Sequence, residues 1–598
     1  MGARVCVPQR THQVPQASPS PSVPRPPRHT SRRAARGEKQ GPKRVAIVVL
    51  GDVGRSPRMQ YHAMSLASHG VRVSVVGYTG ERCISPIENN PRVTFNRFEP
   101  PLSGRWGKRL RESSYFVFAV SKALALTARL LYELIVRVPR PDAMLVQNPP
   151  SLPGLACVWF ACCVRGCTMV LDWHNLGFTM FGRGPRHPLV WVTRKAEGFF
   201  GRRAGIYNIT VSYAMRDWIK EHFRVAEAYI VYDKPPDLFR PPTLPERHAL
   251  FKKLLDTAQD FSDAAIAHTA TITLPTDAGL DSPSSNIVSN NNSGDNDAGP
   301  RLQRSGEGVR GRLRERRRDG GRGRDHSSED SANGDRKRVR KVHGEPLKEG
   351  EERTPFTTKS ADGVYAMRRD RPALLVSSTS WTPDEDFSVL LEALARFDSR
   401  AASGAAPTLP FVVVVVTGKG PEKARYVERM RAARMTRVAL CTAWLEPDDY
   451  PLLLGSADLG ISLHTSTSGV DLPMKVVDMF GCGVPVCAAH FECLKELVRD
   501  GHNGCVFKDS TQLALQLEAL LDGFPRTGCE LQGYRANVRD VERWADNWDH
   551  LAWPLFARLG TRRSAAGSEK RNADGDPAGG VAPSRGLSGG VVAERVWA

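Results

Sequence analysis

The sequence predicts an α/β protein. Two domains, each a parallel sheet wrapped by helices, face each other across a cleft, with a long disordered insertion and disordered termini. Three observations lead there. Short apolar runs alternate with helical patterns on both sides of residue 240, the order that builds parallel sheets. The chain has 598 residues, well past the ~250–300 at which a single core stops growing. Residues 258–362 are too rich in Ser, Asn, Asp, Gly and Arg to bury a core of their own.

Residues 1–42 are rich in Pro, Ser and Arg and form a disordered tail. They lack the apolar centre of a secretory leader. Cys6 stands where a myristoylation signal needs Ser or Thr. No export signal, acyl anchor or spanning helix is expected there. The run 44–51 is a buried parallel strand ending in glycine. A loop over 51–58 leads into a helix over 59–69, which Gly70 closes before the strand 71–77. This strand–helix–strand order opens a Rossmann-like domain.

The stretch 115–136 is long and apolar but carries Lys122, Arg129 and Glu133. A spanning helix needs ~20 largely uncharged residues. Lys122 and Arg129 share a helical face, so the stretch reads as an amphipathic helix resting on a membrane surface. Packing into the domain is the alternative. The run 152–164 is wholly apolar and too short to span, hence a buried or interfacial helix. Further strands fall at 168–172, 207–212 and 228–232, completing a first domain over 43–240. Asp233-Lys234-Pro235-Pro236 breaks regular structure and marks the hinge, followed by a linker helix over 241–257.

The second domain spans 363–534. Its strands lie at 374–377, 411–417, 438–441, 459–463 and 484–487. Helices at 385–397, 422–433, 448–454 and 513–521 alternate with them. Residues 535–560, with Trp544, Trp548 and Trp553, form closing helices, and 561–598 is a second disordered tail.

The net charge of +20 gathers in the first tail and in 301–341. Such tails suit anionic lipid as well as nucleic acid, and nucleic acid is not taken as a partner. Twelve cysteines are scattered without a Cys-x-x-Cys pair. They read as buried thiols of a reducing compartment, without metal-ligand spacing.

The most informative stretch is 466–486. It reads as a small polar loop, a short helix begun by Pro473 and stopped by Gly481 and Gly483, then a strand. Free N–H groups at such a helix start attract phosphate. Asp471 and Asp478 lie nearly two helical turns apart, which places both on one side, where carboxylates accept from sugar or ribose hydroxyls. Thr417-Gly418-Lys419-Gly420-Pro421 directly follows an apolar strand. Its glycines let backbone approach a phosphate and Lys419 adds charge. Asp172-Trp173-His174-Asn175 ends another strand, at the sheet edge where open α/β folds hold ligands.

These segments resemble the GT-B glycosyltransferases. Asp478 stands at the second acid of their paired-acid motif, while the first would fall at Val470, beside Asp471. With Asp172-Trp173-His174-Asn175, Ser377-Ser378-Thr379-Ser380-Trp381-Thr382 and the 417–421 loop, the chain is similar to the chitobiosyldiphosphodolichol beta-mannosyltransferase family over roughly 43–256 and 370–555. The resemblance implies two Rossmann-like domains and inverting transfer of mannose from GDP-mannose to GlcNAc2-diphosphate-dolichol. It also implies the endoplasmic reticulum membrane, with the domains facing the cytosol and other early N-glycosylation enzymes as partners. No tightly bound cofactor is expected. A divalent cation is allowed as activator, without a nameable site. The family usually begins with a membrane-spanning helix, which the start of this chain does not display.

On this reading the donor is held by Ser378, Thr379, Gly418, Lys419, His464, Ser468, Gly469, Asp471, Lys475 and Asp478. Lys419 or Lys475 neutralises the diphosphate, as point charges do. Trp444 borders the nucleobase or packs in the core. Gly54, Arg55, Arg58 and Asn175 meet the acceptor. Asp52, His174 and Asp172 are the acid–base candidates, with Asp52 favoured as base and His174 for orientation. Two rival readings are a non-catalytic scaffold of the glycosylation machinery and an RNA-associated protein resting only on its tails.

Overall fold

In the computed structural model, residues 43–264, 349–382, 385–526 and 530–559 are described. Lys43–Leu555 clusters as one unit; a second comprises the two chain ends, of which only 556–559 are described.

Seven parallel strands build the first sheet. They are β1 (Arg44–Asp52), β2 (Arg72–Tyr78), β3 (Val93–Phe98), β4 (Ala143–Asn148), β5 (Thr168–Trp173), β6 (Ile206–Thr210) and β7 (Tyr229–Ile230). Their order is β3-β2-β1-β4-β5-β6-β7. β1 lies in the middle, paired with β2 on one side and β4 on the other, so the Val45–Val49 run is buried on both faces. That is why it reads as a continuous apolar stretch and not as an alternation.

A small antiparallel sheet follows, of β8 (Glu352–Arg353), β9 (Thr357–Lys359) and β10 (Tyr365–Met367). The last sheet contains β11 (Ala373–Ser378), β12 (Val412–Thr417), β13 (Val438–Ala443), β14 (Leu459–Ser462), β15 (Val486–Ala489) and β16 (Gly504–Phe507). All its pairs are parallel, in the order β13-β12-β11-β14-β15-β16. Each large sheet reverses its strand order once, at β1/β4 and at β11/β14. Ligands of open α/β sheets bind outside the strand C-termini at such switch points. The loops after β1, β11 and β14 are therefore placed for function by topology alone.

The expected disordered stretch 258–362 is too wide at both ends. Residues 259–264 are helical, and β8 and β9 are formed. Phe261 and Phe356 are buried and stack with Phe251 of the helix Leu244–Thr257, so three aromatic rings from both flanks make one core. The remainder, 265–348, lies outside the described residues, as do 1–42 and the tail after 559.

The helix Tyr115–Tyr132 continues into a π-turn over Glu133–Arg137. It turns Leu126 and Leu130 into the core while Tyr115, Phe116, Val120 and Leu124 face out. Among the described residues no helix is long and apolar enough to cross a membrane.

The chain crosses between sheets at Val231–Pro236 and returns through the helix Trp544–Leu551. There Trp544 Nε1 donates to Ser65 Oγ at 2.9 Å, and Asn547 Nδ2 donates to the Tyr232 carbonyl at 3.1 Å. This return explains the helix Pro57–Ser68, which buries Arg58, Gln60, His62 and Ser65. It is covered on a side that a lone Rossmann unit would leave wet.

Candidate functional site

A cleft of about 460 Å³ is lined from the first sheet by Gly54 and Arg55 and from the second by Ser378, Thr379, Gly418, Lys419, Trp444 and Lys475. Its floor depends on two loops in close approach. A Cβ at Gly418 would stand 1.8 Å from the Thr379 carbonyl oxygen, and Gly418 has φ +125°. A side chain there would push the β12 loop off the β11 loop. Trp444 is half exposed, so it is not the core residue of the alternative reading. The Lys419 ammonium lies 3.5 Å from its ring centroid, a cation–π contact that holds the charge at the cleft wall.

Lys475, in the first turn of the helix Met474–Gly481, pairs with Glu385 at 2.5 Å. Glu385 also accepts from Thr379 Oγ1 and the Ser380 amide, each at 2.5 Å. Burial pushes the Glu385 carboxyl up, but Lys475 and these donors outweigh it and hold it below the usual carboxylate range. One buried carboxylate thus aims a lysine and tethers the Ser378–Thr382 loop. The residue reading missed Glu385, whose only signal was an acid within Asp384-Glu385-Asp386 just before a helix.

The loop after β14 gathers a second group. His464 Nε2 lies 3.4 Å from Asp471 Oδ2, and the Ser466 and Ser468 hydroxyls donate to Asp471. Burial acts upward on Asp471, yet His464 and these hydroxyls leave it below its ordinary range. Gly469 has φ +76° in the turn of this loop. Asp471 and Asp478 do not share a helical face, because the helix begins only at Met474. Asp478 is buried elsewhere. Burial and then the charge of Asp233 push its carboxyl well above the usual range; like His174, His464, Ser468, Gly469 and Asp471, it is not among the residues lining the cleft.

The acid–base candidates separate clearly. Asp52 accepts the Gly54 amide on Oδ1 and the Glu81 amide on Oδ2, both at 3.0 Å. Both oxygens clamp backbone loops, a positioning task that the sequence reading does not assign to it. The expectation for Arg58 is corrected. It is 1% exposed and cannot reach an acceptor. Its guanidinium grips Asp172 with Nε at 2.9 Å and Nη2 at 3.0 Å, and Asp233 with Nη1 at 2.7 Å.

Asp172 is the hub. Besides Arg58 it receives His62 Nε2 at 3.1 Å and His174 Nε2 at 2.9 Å, both on Oδ2. Burial drives this carboxyl up, but Arg58 and His174 outweigh it and hold it well below the usual range. It stays ionised in a dry place. Trp548 Nε1 stands 2.9 Å from His62 Nδ1. An indole N–H only donates, so Nδ1 accepts and the proton of His62 is assigned to Nε2, facing Asp172. Burial lowers the His62 pKa and keeps it neutral. His174 is the partly exposed member, 18% open to solvent. With Nε2 turned to Asp172, its Nδ1 is left to take a proton. Next to it Asn175 Nδ2 approaches Thr467 Oγ1 of the β14 loop at 3.5 Å, where the two sheets' loops meet. His62, Asp233 and Trp548 were missed, although Arg58 and His62 stand one turn apart on a helix.

Two Rossmann-like sheets of the GT-B kind, with a cationic, hydroxyl-rich cleft between their switch points, define a glycosyltransferase that uses a nucleotide-activated sugar. Residues 371–523 match the family described as Glycosyl transferases group 1. Chitobiosyldiphosphodolichol beta-mannosyltransferase of Mus musculus is 37% identical over 528 residues, 87% of this chain and 91% of its own length. The Homo sapiens protein of that name is 38% identical, covering 86% of this chain and 92% of itself. The chain belongs to this beta-mannosyltransferase family. UDP-glycosyltransferase TURAN of Arabidopsis thaliana is 36% identical over 86% of this chain and 97% of its own. Among solved structures, Anabaena HepE in complex with UDP and glucose aligns at TM-score 0.47 and 12% identity, over 88% of this chain and all of that one.

Proposed function

We propose that the chain transfers mannose from GDP-mannose to GlcNAc2-diphosphate-dolichol, with inversion, making the β-1,4 bond of the first mannose of the N-glycosylation lipid. The family membership above supports the reaction, and the Asp172–His174 pair carries its residue-level form. His174 Nδ1 takes the proton of the acceptor 4-hydroxyl as that oxygen bonds the anomeric carbon. The bond from that carbon to the diphosphate breaks, and GDP leaves with the electron pair. Ionised Asp172 stabilises the imidazolium that forms. Lys475, Lys419 and the amides at the start of the helix Met474–Gly481 meet the charge on GDP. Arg55 and Gly54 face the acceptor side. Asp471, His464, Ser468 and Gly469 border the sugar.

The dolichol acceptor confines its diphosphate to a bilayer surface; family membership supports the endoplasmic reticulum as that membrane, and scattered thiols without disulfide spacing support the cytosolic side. The exposed Tyr115, Phe116, Val120, Leu124, Phe160 and Val164 suit peripheral binding through the first domain. Radiolabel transfer to a dolichol-linked chitobiose acceptor, with GDP-mannose beside UDP-sugars, tests the reading. Transfer from GDP-mannose alone, abolished in His174→Ala, is expected. Transfer from a UDP-sugar, as one relative's name states for that relative, would replace the donor assignment. Undiminished activity of His174→Ala would remove the base.

A further inference from the structure

A cationic recess lies on the first domain, apart from the cleft. It holds about 340 Å³ and is lined by Trp191, Arg194, Lys195, Arg202, His222 and Phe223, with no carboxylate among its lining residues. The helices Pro188–Gly201 and Tyr213–Phe223 build it, and none of its residues lines the catalytic cleft.

Several exposed arginines elsewhere are paired, as Arg216 is with Asp217, Arg240 with Glu246 and Arg400 with Glu518. In the recess Arg194 and Lys195 instead lie over aromatic rings, of Phe178 at 5.5 Å and Trp191 at 5.9 Å. No carboxylate lines the recess to neutralise them, and Arg202 adds to the charge. A guanidinium pair with an ammonium beside it is the chemistry that binds a phosphate.

The surroundings are apolar. On the same helix Leu189, Trp191, Val192 and Phe199 are exposed, Trp191 by 58%. The neighbouring helix Gly154–Arg165 adds Phe160 and Val164. The two helices adjoin where Trp159 meets Phe200 at 6.2 Å and Arg203 covers Trp159 at 4.5 Å and Phe199 at 5.1 Å. A nucleic acid or a phosphorylated loop has no use for such a rim. A phospholipid does, because its phosphate lies just above its acyl chains, at the depth where tryptophan settles.

We propose that this recess seats the phosphate of an anionic phospholipid headgroup, so that the first domain reads the charge of the bilayer as well as its apolarity. This rests on the peripheral membrane reading above. It is tested by sedimenting the full chain with vesicles of phosphatidylcholine, and with vesicles also containing phosphatidylserine. The wild type binds both and gains on the anionic ones. Arg194→Ala/Lys195→Ala/Arg202→Ala keeps the neutral binding and cuts that gain by roughly tenfold or more, if each cation contributes as juxtamembrane cations do, leaving only what the basic tails supply. It also keeps transfer to a water-soluble acceptor analogue.

Three results overturn the site while leaving the membrane reading intact. The gain persists undiminished in the triple variant, or it falls equally when Lys423, Arg425 and Arg431 of the second domain become alanine. Alternatively, inorganic phosphate binds the wild type and not the triple variant while phosphatidylserine brings no gain, which makes the ligand a soluble anion. Failure of the wild type to bind either vesicle overturns both readings.

Discussion

Asp172 owes its charge to neighbours that come from far along the chain, and this shapes what substitutions at the site do. Asp172→Asn removes the carboxylate that Arg58 and both histidines hold, so a drop in kcat of ~10³-fold or more is expected, as for other acids that orient a catalytic imidazole. Because Arg58 is left buried and unpaired on one side, the variant also loses about 3–5 kcal/mol. His174→Ala is expected to lose kcat with little change in melting, since the ring is partly exposed. Transfer assays beside thermal melts separate the two. His62 governs stability against pH. Its folded pKa lies below its unfolded one, so as pH falls below ~6.5 the unfolded chain takes up a proton that the fold refuses. Stability is therefore full above that range and declines below it. Asp172, whose pKa is likewise held below its ordinary value, gives up its contribution only as pH falls below ~3.9. His62→Gln should flatten the dependence of the denaturant midpoint between neutral and mildly acidic pH, with a residual slope from His248, whose pKa burial also lowers. An unchanged slope would mean that His62 is not held neutral. None of this wiring was legible in the sequence, because the partners Trp548 and His62 are 486 positions apart. What was legible was the strand-end placement of Asp172 and His174, since an apolar run that stops at charged residues has a sheet edge at that point.

Most strands buried on both faces were read from their apolar runs, but the central β4 was not, although Ala143–Val146 is wholly buried. β12 is a run of valines ending in Thr417 and has no other way to fold in a parallel sheet. β16 was missed because its four residues follow Asp500-Gly501-His502-Asn503, which reads as a turn and nothing more. The helix Tyr115–Tyr132 was recognised, but its apolarity alone could not say which leucines face inward. That depends on the sheet beneath it. Leu130 is 1% exposed and Leu124 is 67% exposed. Leu130→Ala should therefore cost about 2–5 kcal/mol by leaving a cavity, and it should not alter vesicle binding. Leu124→Ser should leave the melting temperature within a degree or two and weaken sedimentation with vesicles. Equal effects at both positions would mean that the helix is rotated from the face described. The flanks of the insertion follow the same logic. Phe356 is buried against Phe251 and Phe261, so Phe356→Ala should cost about 3–5 kcal/mol. Cutting out the whole of 258–362 should destabilise the second domain by removing two of the three rings.

At the scale of the molecule, transfer requires the two sheets to present their loops to one another, and Glu496 is one of the side chains that span that gap. Glu496, from the turn Glu492–Glu496 before β16, accepts the amides of Tyr213 at 2.9 Å and Ala214 at 2.8 Å, and the Tyr232 hydroxyl at 2.6 Å. The first two belong to the opening turn of the helix Tyr213–Phe223, where the backbone leaves N–H groups unpaired and favours an anion. Burial, with the Glu496 carboxylate, raises the Tyr232 phenol, which therefore remains a donor. Beside this clasp, Ser212 Oγ donates to the Val470 carbonyl at 2.5 Å, directly before Asp471. Hinge and returning helix join the sheets covalently and by packing, but neither forbids rotation about Val231–Pro236. Opening must break the Glu496 contacts together with the Ser212–Val470 and Asn175–Thr467 hydrogen bonds, and Glu496 is the charged group among them. Charge-assisted hydrogen bonds of this kind contribute about 1.5–3 kcal/mol each, enough to bias a two-state equilibrium strongly. Glu496→Gln keeps the shape but removes the charge from the helix start. It should lower kcat/KM for GDP-mannose by about tenfold, with kcat falling and KM rising, since closure residues affect both. It should also increase the radius of gyration measured by solution scattering. The melting temperature should change little, because each sheet keeps its own core. Unchanged scattering together with unchanged kinetics would place the bias elsewhere, in the helix Trp544–Leu551, and Trp548→Phe would then be the variant that opens the molecule.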